Sequence, residues 1–146
     1  MGKHSQQLGK TGEEAAEWYL YNAGFRDIEK IATPMVKTKK KGWVHSKKSS
    51  VDFIACMPQP GCIYPYAAAR IEVKYYEGDK LPHSVMKPHQ VEKLMSWKDK
   101  KLPVFVLWVH RFIGSQIECF LFEYPNFYFS TGNSISLEDA KKISWK

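Results

Sequence analysis

Residues 69–75 read ARIEVKY, and the alternation inside that stretch organises the rest of the chain. Successive side chains of a β-strand point to opposite faces, so Ile71 and Val73 point one way while Glu72 and Lys74 point the other. Upstream, VDFIAC at Val51 to Cys56 is a second short apolar strand, followed by a two-proline turn signal, MPQPG, at Met57 to Gly61. Pairing of the two strands as a hairpin around that connection brings Asp52 close to Glu72. Downstream, Pro88 suits the first turn of a helix that carries Val91, Leu94 and Met95 inward. PVFVLWV after Leu102 reads as a buried strand and IECFLFEY as a further one. At the other end, Ala16, Tyr19, Leu20 and Ala23 share one face of a helix from about Lys10 to Ala23, which Gly24 ends. Ser136 with Asp139 resembles a capping box opening a short helix through Ile143. Strands and helices alternate as in an α/β domain, without internal repeats, and residues 1–146 read as one domain.

The composition favours a polyanionic partner. Lys and Arg outnumber Asp and Glu by 22 to 15 in 146 residues, a net charge of +7, while 44% hydrophobic residues suffice for a packed core. Nucleic acid is the leading candidate. A membrane partner is disfavoured, because no apolar run approaches the roughly 20 residues that span a bilayer. The opening MGKHSQQLGK contains no apolar core of a signal peptide, so a cytoplasmic or nucleoid-associated setting, or an infected cell for a viral protein, is expected. Cys56, Cys62 and Cys119 form no CxxC pair and read as packed thiols, with Cys56, Cys62 and His45 as a loosely spaced zinc alternative.

Glu72, Lys74 and Asp52 form the constellation with chemistry in it. Hydrolysis of a phosphodiester with a divalent ion needs carboxylates to hold the ion, a cation near the developing charge, and a rigid frame. Strands provide the frame, and Mg²⁺ suits a sparse carboxylate set completed by waters. On the first helix three glutamates compete for a further role. Steps of three and seven from Glu13 land on Ala16 and Leu20, on the apolar face, whereas Glu14 and Glu17 align with Trp18, Tyr21 and Gly24. Glu13 is therefore expected to look inward, where a carboxylate needs a partner or a metal.

In that order GEEAAEWYLYNAGF, SSVDFIA and RIEVK resemble the PD-(D/E)xK nuclease superfamily, particularly its Holliday-junction resolvases and related small nuclease-like proteins. KPHQVEKL and the apolar strand after it are similar to the helix and strand that follow the ExK strand in resolvase-like members. The resemblance spans Leu8 to Val109. It implies a restriction-endonuclease-like core with a central mixed sheet flanked by helices, Mg²⁺ dependence with Mn²⁺ as substitute, and a homodimer gripping branched DNA. Asp52 matches the motif Asp, Glu72 and Lys74 the ExK pair, and Glu13 the helix Glu, so that Glu13, Asp52 and Glu72 are the expected metal ligands. Val51 stands where the literal motif has Pro. Gln90 matches a site-proximal Gln, to be read either as a water or phosphate contact or as a polar residue of a first helical turn.

Between Lys30 and Val51 there is no Asp or Glu, while Lys37, Lys39, Lys40, Lys41, Lys47 and Lys48 crowd around Trp43. We read this segment, at about 37–48, as an exposed basic loop or hairpin that contacts DNA together with Lys10, with Trp43 stacking on a base or sugar. A solvated loop is the alternative. Phe127, Tyr128 and Phe129 read as core or dimer packing, and His83 and His89, both beside prolines, as surface residues. The expected activity is a structure-selective DNA endonuclease. A nicking or repair nuclease, or a binding module that kept the fold without cutting, are the alternatives.

Overall fold

The structure is a computed structural model and describes residues 2–31, 35–40, 42–45, 50–63, 65–113 and 116–145. Its elements are α1 (Gly2–Asn22), β1 (Arg26–Lys30), β2 (Met35–Thr38), β3 (Gly42–His45), β4 (Ser50–Pro58), β5 (Tyr66–Tyr75), β6 (Lys80–Pro82), α2 (Pro88–Asp99), β7 (Val104–Ile113), β8 (Gln116–Glu123), β9 (Ser134–Ser136) and α3 (Leu137–Ile143). Five strands form one sheet in the order β1-β4-β5-β7-β8. All its neighbours are antiparallel except β5 and β7, which run parallel, so the sheet is mixed. The parallel pair needs a crossover, and the chain between Tyr76 and Pro103, including α2, provides it.

Both faces of this sheet are covered, and that explains why six consecutive β5 residues, Ala69 to Lys74, are all buried. On one face Ala16 and Leu20 of α1 pack with Phe25, Phe53, Ala69, Ile71, Val73, Phe105 and Leu107. On the other, Leu94 of α2 and Ala140 of α3 join Leu81, Val106, Trp108, Phe120, Phe122, Phe129 and Ile135. Arg70, Glu72 and Lys74 share this second face, the α2 side, by the two-residue period of the strand.

Gly24 closes α1 as the spacing predicts. Its N–H donates to the Tyr21 carbonyl at 3.1 Å and the Phe25 N–H reaches back to Leu20 at 3.0 Å, a Schellman closure with Gly24 at φ +101°. A Cβ there would strain the backbone and meet Pro58 Cγ at 3.2 Å. The helix begins at Gly2 rather than about Lys10, since the Lys, Gln and Leu residues that precede the apolar stripe are themselves good helix formers. Ser136 caps α3, its Oγ accepting from the Asp139 N–H at 3.1 Å. The basic segment is a hairpin, β2 with β3, in which Lys37 lies opposite Trp43, and it forms a small sheet of its own. Among the described residues no helix is long and apolar enough to cross a membrane.

Candidate active site

The register of the hairpin β4–β5 places Asp52 directly opposite Glu72. Directly paired residues of antiparallel strands project to the same face with Cβ atoms about 5 Å apart, so the two acids share a patch of sheet on the α2 side. Glu72 is only 2% exposed. Two carboxylates so close repel strongly away from water and need counter-charge. The same strand supplies it from both sides of Glu72.

Lys74, also 2% exposed, brings Nζ to 3.4 Å from Glu72 Oε1 and donates to Gln90 Oε1 at 2.8 Å. Arg70, 5% exposed, donates from Nη2 to Asp52 Oδ2. Its guanidinium lies over the Trp97 ring of α2, 5.5 Å from the centroid. The outcome is a quartet of two acids and two bases, three of them buried and Asp52 partly so, each charge facing an opposite one, the condition under which buried charges are tolerated. Burial pulls the Lys74 ammonium below the ordinary lysine range, and the charge and hydrogen bond of Glu72 pull it partly back.

Gln90 is a polar residue of the first turn of α2, and the same side chain also reaches Lys74. Its Oε1 accepts from the Lys87 backbone N–H at 2.9 Å, closing the first turn of α2, and from Lys74 Nζ. The helix start and the site are thus tied through one amide oxygen.

Glu13 is not brought to this group. It is half-buried, less exposed than Glu14 and Glu17, and both of its oxygens lie 2.9 Å from Lys30 Nζ. Lys30 stands opposite Phe53, and Phe53 belongs to the α1 face, so the Glu13–Lys30 pair sits on the far side of the sheet from Asp52 and Glu72. Among the described residues no three His, Cys, Asp or Glu side chains gather as a cation site. The donor set that does assemble, Asp52 with Glu72, offers two hard oxygen ligands on a rigid frame. That fits Mg²⁺ or Mn²⁺ with waters and phosphate oxygens filling the remaining positions.

Arg70 was missed in the sequence, although the signal was legible: it precedes Glu72 by the same two-residue step that links Glu72 to Lys74. Its contact with Trp97 was not legible, because it depends on how α2 crosses the sheet. His83 is a correction. It is buried rather than on the surface, stacked on Tyr124 with its Nε2 2.9 Å from the tyrosine hydroxyl and its ring against Phe129. Pro82 ends a strand paired with β9, and that pairing turns the next side chain into the core. His89 is exposed. Of the aromatic run, Phe129 is core, Tyr128 half-buried, and Phe127 90% exposed.

Lys39 and Lys40 are exposed at the tip of the β2–β3 hairpin. Lys41, Lys47 and Lys48 lie outside the described residues, and for Lys10, Lys37, Trp43 and His45 the description covers the backbone alone. Cys56, Cys62 and Cys119 are free thiols.

The chain matches no protein-family model and no curated protein. What it does must therefore be argued from the quartet itself.

Proposed function

We propose that this chain is a divalent-metal-dependent DNA endonuclease of the PD-(D/E)xK type, selective for branched DNA in the manner of a Holliday-junction resolvase. The observation that carries it is the register pair Asp52–Glu72 with Lys74 on the same buried sheet face. The architecture is compatible with the reading: a mixed central sheet of five strands flanked by helices, with the basic hairpin inserted between β1 and β4.

Asp52 and Glu72 would hold Mg²⁺ or Mn²⁺, which as a Lewis acid lowers the pKa of bound water and screens phosphate charge. The rest falls to the protein. Lys74, fixed between Glu72 and Gln90, presents a cation where negative charge develops on the phosphate, and it costs no reorganisation because it is already held. Gln90 holds that ammonium and orients it. Glu13 ties α1 to Lys30, the last residue of β1, on the opposite side of the sheet. The exposed Lys39 and Lys40, in the turn of the hairpin, suit backbone phosphates, and the net charge of +7 favours encounter with DNA. A homodimer would present two such sites to the two strands cut at a junction.

The test is cleavage of a labelled four-way junction, a flap and a plain duplex with Mg²⁺, using wild type, Asp52→Asn and Glu72→Gln. Wild type should cut the junction best, and either variant should lose cutting by orders of magnitude while still binding DNA. Equal cutting of all three substrates would move the reading to a nicking or repair nuclease. Binding without cutting in wild type would leave a nucleic-acid-binding module.

A further inference from the structure

Arg70 is the one member of the quartet without a part in the proposed reaction, and three observations go beyond a structural ion pair. It occupies an oxygen of Asp52, one of the two carboxylates assigned to the ion. Its Nε is buried and makes no hydrogen bond, whereas a settled internal pair normally satisfies every buried donor. Its guanidinium also lies over the Trp97 ring, a cation–π contact that does not depend on Asp52. A guanidinium so supported keeps its place when the carboxylate is withdrawn, with donors in a fixed fork that matches phosphate oxygens.

We propose that Arg70 is an internal competitor for the divalent ion and a phosphate-binding group: it neutralises Asp52 in the ion-free protein, yields that carboxylate when the ion is taken up, and then binds the DNA phosphate. The inference rests on the nuclease reading of Asp52 and Glu72. Charge supports it. The four side chains sum to zero charge, so uptake of a divalent ion adds two positive charges to them, which an anion such as a phosphate relieves. Ion and phosphate binding are thereby coupled, and the ion alone binds weakly because it must first displace Arg70.

Calcium, titrated calorimetrically into the intact chain without DNA, tests this with Arg70→Met, Arg70→Lys, Asp52→Asn and Lys87→Met. Lys87 is exposed and acts on Lys74 through space, so its substitution controls for loss of a nearby charge. Arg70→Met should bind Ca²⁺ about tenfold more tightly than wild type, the worth of one charge-assisted hydrogen bond. Its thermal midpoint should rise more on Ca²⁺ addition than that of wild type. Arg70→Lys, which keeps the charge and loses the fork, should tighten Ca²⁺ binding less, so that it still decides the matter if Arg70→Met does not fold. Both should cut the junction more slowly despite the tighter ion. Unchanged Ca²⁺ affinity in both variants, or equal tightening in Lys87→Met, overturns the competition. If Asp52→Asn then still weakens Ca²⁺ binding, the nuclease site survives that failure. Absence of Ca²⁺ binding in both wild type and Arg70→Met overturns the two together.

Discussion

Lys74 shows how much one side chain is asked to do. It is a cation at 2% exposure whose neighbours are a carboxylate at 3.4 Å and an amide oxygen at 2.8 Å. Removing one partner of a buried pair leaves the other uncompensated, at a cost of about 3–5 kcal/mol. Lys74→Ala is therefore expected to lower the thermal midpoint as well as activity, because Glu72 then loses the ammonium 3.4 Å from its carboxylate. Its single-turnover cleavage at saturating Mg²⁺, measured well below that midpoint, should fall by about 10²–10³, the range for loss of one preorganised group that stabilises charge. Near-normal rates would remove Lys74 from the chemistry and leave it as a counter-ion for Glu72.

The β2–β3 hairpin carries the next prediction. Lys37 and Trp43 are paired in the backbone register, and Lys39 and Lys40 in the turn between the strands are exposed. Each lysine that neutralises a phosphate on duplex DNA adds about 0.9 to the negative slope of log affinity against log salt. Replacing Lys39 and Lys40 by Ser should flatten that slope by about 1 to 2 and weaken binding to many sequences alike. Fluorescence anisotropy across a salt series on one junction measures both. An unchanged slope with unchanged affinity makes the hairpin tip a solvated turn.

Across the whole molecule, the α2-side core depends on a histidine kept neutral. His83 joins the β6–β9 pair to Tyr124 and Phe129, and burial pushes its pKa below the ordinary 6.5. As pH falls through 6.5 the unfolded chain gains a proton that the folded one refuses. The stabilising contribution is thus present above 6.5 and is lost as pH falls toward the folded-state value. The expected loss is at most about 1.4 kcal/mol per pH unit from this group. Urea unfolding of wild type and His83→Phe between neutral and mildly acidic pH should show a shallower acid loss in the variant. Parallel curves would assign the acid sensitivity to other groups.

Local pattern was enough to establish an α/β chain with a strand at ARIEVKY, a hairpin partner at VDFIAC, a helix opened by Pro88 and a helix closed by Gly24. These follow from two-residue and 3.6-residue periods and from the backbone limits of Pro and Gly, which act within a few residues. Asp52 opposite Glu72 was legible for the same reason, since two strands and one connection admit few registers. The pairing of charges was decided only by the tertiary structure. The resemblance implied Glu13 as a third ligand, and its helix face implied only an inward carboxylate in need of a partner; α1 packs on the side of the sheet away from Asp52 and Glu72, and Lys30 is that partner. The contact of Arg70 with Trp97 is likewise tertiary, since it exists only because α2 lies across that part of the sheet. Helical and strand periods state which residues share a face of their own element. Which face of the sheet a helix covers depends on burying apolar surface contributed by residues far apart in the chain.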